Sequence, residues 1–263
     1  MGRMADTGPA FGGAEGGDRR ALQAHSMFAS FQGEGLYVGA YQLFLRLRGC
    51  NLACRYCDTP EAREEMGDFL VLGGEMDGTR IGNPVPVALL AEMVTRSWEP
   101  TMHSLALTGG EPLLQAGALR ALLSRLKESG IPVYLETNGT LPGALAGLLD
   151  LVEYVAMDVK LPSAVGGRDL LPLHANFLSA ARGKRIFLKM VLEETTPLGE
   201  VEDACEALGG KAPEVPLVIQ PASPFGDGRP PSFPELLSAH RIASRFFHQV
   251  RVIPQVHHLA GWS

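Results

Sequence analysis

Apolar residues along this chain come in short runs set apart by polar, glycine-rich stretches. The clearest run is "YQLFLRLRG", where Leu43, Leu45 and Leu47 fall on one face of an extended strand and Phe44 and Arg46 on the other. "SMFASFQGEG" precedes it as a short strand entering a glycine turn. Further runs of strand length follow: "HSLALTGGEP", "IPVYLETNG", "EYVAMDVK", "RIFLKMVL", "VPLVIQPAS" and "QVRVIPQVH". Between several of them lie helical patterns, "QAGALRALLSRLKES", "LPGALAGLLD", "LGEVEDACEALGG" and "FPELLSAHRIASRFF". This alternation predicts an α/β fold, an incomplete TIM-like βα barrel of about six to seven parallel strands. Residues 60–86 mix charge, glycine and proline and read as an inserted loop, and residues 1–25 as a disordered tail before a single domain over 26–263.

Polar or reactive residues collect where the runs end: Cys50, Thr108 to Glu111, Glu136 and Asn138, Asp158 and Lys160, and Gln220. In a βα barrel the C-terminal strand ends carry the active site. Polar strand ends are common in any loop, but agreement across five runs points to one shared site.

Composition narrows the chemistry. With 23 basic against 29 acidic residues, a net charge of -6 and no basic block, the chain is not built for a large nucleic-acid surface. No run approaches the length of a membrane span, and the N-terminal stretch has no apolar signal-peptide core. That charge balance favours a small-molecule substrate, and four cysteines, too few for a disulfide scaffold and with three of them clustered, favour a reducing, cytoplasmic setting.

Three of those four cysteines, Cys50, Cys54 and Cys57, sit within "RGCNLACRYCDT" at CxxxCxxC spacing. Three thiolates hold three corners of a 4Fe-4S cube and leave one iron open. Zinc held by three cysteines and a histidine is the rival, but His25 and His103, the nearest histidines, lie more than twenty residues away. Cys205, inside a helical pattern, reads as a buried core residue. After the next strand, Gly109 and Gly110 of "LTGGEP" let backbone approach a charged ligand closely, and the region of Glu111 can accept from an ammonium. Glu136 and Asn138 of "LETNGT" offer hydrogen bonds suited to a ribose, unless Glu136 and Lys160 pair with each other.

The cysteine loop, with Tyr56 before its last cysteine, and the GGEP stretch resemble the radical S-adenosylmethionine superfamily. There the amino and carboxylate groups of S-adenosylmethionine chelate the open iron. Together with "ETNGT", "DVKLP", "QPAS" and "VIPQVHHLAGW", the stretch from "FQGEG" to "CDT" further resembles the 7-carboxy-7-deazaguanine synthase family, from about Ser26 to the last residue. The segment after Thr59 departs from that pattern, and "DVK" stands where some members carry Ser-Pro-Lys.

The resemblance implies an enzyme that contracts 6-carboxy-5,6,7,8-tetrahydropterin to 7-carboxy-7-deazaguanine with loss of ammonia, by hydrogen abstraction from the pterin. It implies a 4Fe-4S cluster on Cys50, Cys54 and Cys57, and Mg2+ on Thr59. Tyr56, Asp58, Gly109, Gly110, Glu111, Glu136, Asn138, Lys160 and Gln220 would lie against S-adenosylmethionine. Phe31, Gln32, Gly33, Arg46 and Thr108 would hold the pterin, with Arg46 matched to its carboxylate as a bidentate fork. The terminal carboxylate of Ser263 would reach the pterin edge. A homodimer and a flavodoxin or ferredoxin-type reductant are also implied. The alternatives are another radical enzyme of the same core, such as a glycyl-radical activase, or a binding module stabilised by zinc or a cluster.

Overall fold

The computed structural model describes residues 20–224 and 229–262. The strands are β1 (Ala21–Leu22), β2 (Ala24–Phe31), β3 (Tyr41–Leu47), β4 (Phe69–Leu72), β5 (Arg80–Ile81), β6 (Val85–Pro86), β7 (Ser104–Gly109), β8 (Val133–Thr137), β9 (Tyr154–Val159), β10 (Arg185–Leu192), β11 (Leu217–Pro221) and β12 (Val250–Val252). The helices are α1 (Val87–Ser97), α2 (Ala116–Leu126), α3 (Pro142–Ala146), α4 (Leu171–Ala180), α5 (Leu198–Gly209), α6 (Phe233–Ala243) and α7 (Val256–Ala260). One sheet runs in the order β12-β11-β10-β9-β8-β7-β3-β2-β4-β5. From β3 through β12 its seven strands pair in parallel, and β2 adds on antiparallel to β3. The sheet curls without closing, which is the expected partial barrel.

Period-two alternation divides each parallel strand between two cores. Leu43, Leu45 and Leu47 of β3, Leu105 and Leu107 of β7, and Leu188 and Met190 of β10 pack outward under the helices. Leu45 is fully buried there, so Leu45→Ala would cost about 2–5 kcal/mol. The inward positions form a separate floor of Phe44, Ala106, Tyr134, Ala156, Phe187 and Val218.

Helix α1 follows from Val87, Leu90, Met93 and Val94, which recur at helical spacing and are buried. Its pattern is masked in the sequence because it adjoins the glycine- and proline-rich segment. Helix α4 is masked too, because it buries His174, Ala175, Phe177 and Leu178 and so shows no clean polar face.

Two expectations are corrected. Residues 20–25 of the expected tail are structured: Leu22 and Ala24 are fully buried, and β1 pairs antiparallel with β6, while the rest of that tail, residues 1–19, lies outside the described residues. Residues 60–86 are more than an inserted loop. They supply β4, which pairs in parallel with β2, and its neighbour β5; Phe69, Val71 and Val85 enter the outer core. The alternation Phe69, Val71 drives this, and the surrounding charge and glycine masked it.

Candidate active site

On six strands, the residue two positions beyond the apolar floor is polar: Arg46, Thr108, Glu136, Asp158, Lys189 and Gln220. Two residues along a strand is one step up the same face, so these side chains form a second tier above the floor. All six line one cavity, which the three clustered cysteines also line.

At one side Gln32 Nε2 donates to Gln42 Oε1 (3.0 Å) and to Glu136 Oε1 (2.9 Å), while Thr108 Oγ1 donates to Glu136 Oε2 (2.8 Å). Gln32 Oε1 accepts from Glu34 N at 3.0 Å, so the Gln32 amide shapes the wall with its own groups already engaged. Burial pushes the Glu136 carboxyl up. Its partners are Gln32 and Thr108 and not Lys160, which sits against Asp158 Oδ2 at 2.8 Å and 5.0 Å from the Tyr56 ring centre. Arg46 leans over Phe28 and donates from Nη1 to Thr59 Oγ1 (2.8 Å), whose hydroxyl lies 3.1 Å from Asp58 Oδ1.

A buried ion chain crosses the floor. Lys189 pairs with Glu34 and, at 3.2 Å, with Asp158 Oδ2, which also holds Lys160. Burial alone would raise the Glu34 carboxyl and lower the two lysines; the mutual pairing overrides it, leaving Glu34 well below the carboxylate range and both lysines raised. Gln220 Nε2 (3.1 Å) and Gln255 Nε2 (2.6 Å) donate to Glu34 Oε1, and Gln255 Nε2 also lies 3.0 Å from Asp58 Oδ2. Asp158 was expected at the shared site as a strand-end residue, whereas Glu34, Lys189, Gln255 and His257 are added by the structure. His257 lies so close to Gly33 that a Cβ there would stand 2.1 Å from its Nδ1. His257, His258 and Asp58 bring one potential ligand atom each to within 4.8 Å of one another. Trp262 packs on Phe31, ring centres 5.4 Å apart; Ser263 lies outside the described residues.

Around the cysteines, β3 delivers Gly49 and Cys50 directly against the turn after β7. Gly109 has φ +127°, and Cβ atoms at Gly109 and Gly110 would stand 2.1 Å from Leu47 O and 2.0 Å from Gly49 O. These two glycines let the turn after β7 press against the end of β3 and the start of the cysteine loop. The Glu111 side chain braces this turn from within. Its carboxylate is fully buried and accepts from Leu113 N (3.0 Å), Thr137 Oγ1 (2.9 Å) and Asn138 N (2.7 Å), tying this turn to the end of β8. Burial raises it to about 7 against those three donors.

The residues present fit the implied groups. Cys50, Cys54 and Cys57 are free, half-buried thiols on one cavity wall, and burial raises the Cys50 and Cys54 thiols, so iron must displace their protons. Three buried polar atoms lining the cavity, Tyr56 Oη, Asp158 Oδ1 and Gln220 Oε1, have no partner among the described residues. Such atoms call for a ligand's hydrogen-bonding groups, and hydroxyls, an ammonium or ring N-H groups supply them.

The comparisons agree with this geometry. A family model described as the Radical SAM superfamily matches residues 45–171. Two solved structures share the fold: QueE from Escherichia coli, TM-score 0.56 at 19% identity over 90% of this chain and 94% of that one, and a radical SAM methyltransferase from Sphaerobacter thermophilus, TM-score 0.54 at 16% identity over 82% and 66%. A partial barrel with a CxxxCxxC loop at the C-terminal strand ends is the architecture of radical S-adenosylmethionine enzymes, which use a 4Fe-4S cluster. Curated relatives named 7-carboxy-7-deazaguanine synthase narrow it further. That of Geobacter sulfurreducens is 39% identical over 91% of this chain and 97% of its own length, and that of Methanopyrus kandleri 35% identical over 95% and 98%. The chain belongs to the 7-carboxy-7-deazaguanine synthase family.

Proposed function

We propose that this chain converts 6-carboxy-5,6,7,8-tetrahydropterin to 7-carboxy-7-deazaguanine, releasing ammonia. The observation that carries this reading is the second tier: the Arg46 guanidinium, and the acceptors of Asp158 and Gln220 that have no partner among the described residues, share a cavity with the cysteine loop. A guanidinium matches the pterin carboxylate, and acceptors match N-H donors. When bound, the cluster and S-adenosylmethionine supply the hydrogen-abstracting chemistry. The chain holds the reactants in place over an apolar floor, above which the Glu34–Lys189–Asp158–Lys160 charges keep fixed positions.

Mg2+ belongs to the same proposal, with Thr59 Oγ1 as its protein ligand. Magnesium prefers oxygen donors and keeps several waters, which Asp58 is placed to receive, whereas the His257 and His258 nitrogens suit it poorly. The resemblance supports a homodimer working in the cytoplasm with a flavodoxin or ferredoxin-type reductant. Among the described residues no helix is long and apolar enough to cross a membrane. The deciding experiment is anaerobic reconstitution followed by chromatography of a reaction with the carboxylated tetrahydropterin, S-adenosylmethionine and reductant. A brown, iron-loaded protein that leaves the pterin unchanged would refute the substrate assignment; a colourless zinc protein would refute the reaction class.

A further inference from the structure

Asn51, the residue after Cys50, joins a closed ring of side chains. Asn138 Nδ2 donates to Asn51 Oδ1 (2.8 Å), Asn51 Nδ2 donates to Thr140 Oγ1 (2.9 Å), and the Thr140 hydroxyl donates to Asn138 Oδ1 (2.6 Å). Each member gives one hydrogen and takes one. The hydroxyl has a single hydrogen, so accepting from Asn51 leaves it pointed at Asn138, and the direction around the ring is fixed. Thr140 N adds a second donor to Asn138 Oδ1 at 3.1 Å.

The backbone of Asn138 is held as firmly. Its N-H donates to Glu111 Oε2 at 2.7 Å, and its carbonyl lies 3.1 Å from Nε2 of the fully buried His174. Nδ1 of that histidine has no partner among the described residues, and burial lowers the ring to about 4, so it is neutral near pH 7 and donates from Nε2. Three segments therefore meet at one asparagine: the cysteine loop through Asn51, the turn after β7 through Glu111, and the turn after β8 that Asn138 itself occupies. Asn138 lines the cavity, yet its Oδ1 is taken twice and one of its two amide hydrogens is spent on Asn51. What remains for a ligand is one N-H, a donor only.

Resting on the radical S-adenosylmethionine reading, we propose that Asn51 and Thr140 are positioning residues for S-adenosylmethionine. They aim the remaining N-H of Asn138 at an acceptor atom of the cofactor and keep that turn in register with the cluster loop. A cyclic set of bonds suits this task because losing one member releases both neighbours.

The test uses the reconstituted holoenzyme. Thr140→Val keeps the shape and removes the hydroxyl, opening the ring on both sides; Thr140→Ser restores it. S-adenosylmethionine affinity is read from the change it causes in the reduced cluster's EPR spectrum, alongside iron content and pterin affinity. The expected result is about tenfold weaker cofactor binding in Thr140→Val, with iron content and pterin affinity at the wild-type level and recovery in Thr140→Ser. Wild-type cofactor affinity in Thr140→Val overturns the proposal. So does iron loss in proportion to the affinity loss, which marks a merely structural role, or failure of serine to restore binding. A wild-type holoenzyme whose cluster does not respond to S-adenosylmethionine would overturn the family-based reading as well, a result distinct from failure of the ring alone.

Discussion

Gly110→Ala is a small change with a large expected effect, because its new methyl would point into the cysteine loop. The ideal Cβ lies 2.0 Å from Gly49 O, 2.6 Å from Gly49 C and 3.0 Å from Cys50 Cβ, against an ordinary contact of 3.4 Å or more. Relief requires the Gly49 carbonyl to retreat by 3.4 minus 2.0, or 1.4 Å. That retreat breaks its bond from Glu111 N (2.8 Å) and strains Gly110 N to Leu47 O (3.1 Å). Losing one buried backbone bond and weakening another costs roughly 3 kcal/mol. In a domain of this size that lowers Tm by roughly 6–12 °C. Cys50 moves with Gly49, so iron uptake should fall as well. Calorimetry and iron analysis of anaerobically reconstituted protein measure both effects. Gly143→Ala, in α3 with nothing near its Cβ, is the control and should gain about 0.5–1 kcal/mol. A Gly110→Ala protein with wild-type Tm and full iron would refute the claim that this contact seats the cysteine loop.

Cys50→Ala, Cys54→Ala and Cys57→Ala should each abolish the brown chromophore and cofactor cleavage, while Cys205→Ala, removing a fully buried thiol raised to about 12, should keep both; a wild-type absorption spectrum in any of the first three refutes the assignment. The Glu34 carboxyl, lowered from 4.5 to about 2, contributes stability present above 4.5 and lost as pH falls toward 2. Urea unfolding at pH 6 and pH 3 should therefore show a smaller acid loss in Glu34→Gln than in wild type, and equal losses would count against the buried pairing. Arg46→Ala should raise the pterin KM more than tenfold, whereas Thr59→Ala should lose turnover or its Mg2+ dependence; full activity after chelation of divalent metal would rule out the Thr59 role. Removing Trp262 and Ser263, and with Trp262 its tilted ring contact on Phe31, should weaken pterin binding and spare S-adenosylmethionine binding, as calorimetric titration of each ligand would reveal.

Much of the site was legible because a strand repeats every two residues. Arg46, Thr108, Glu136 and Gln220 each follow an inward apolar residue by two, and the cysteine spacing and GGEP stretch fix where the strands point. Lys189 obeys the same rule but sits inside "RIFLKMVL", where one charge among apolar neighbours reads as a snorkelling surface residue. Glu34, Gln255 and His257 were hidden for another reason: they reach the cavity from loops and the last short helix, so no periodicity marks them. The Asn51–Thr140–Asn138 ring joins residues 89 and 87 positions apart, and spacing along the chain carries no trace of it. The edge strands β4 and β5 were obscured because their turns are richer in charge and glycine than the strands are in apolar residues.

Gln255 gives this fold an order of assembly. Its amide bridges Glu34 and Asp58, the latter beside the last clustered cysteine, across 221 and 197 positions of chain. During synthesis the N-terminal parts emerge and fold first. The cysteine loop is thus exposed on the ribosome long before the residue that clasps it is made. The clasp therefore forms only after the 197 positions from Asp58 to Gln255 have been made.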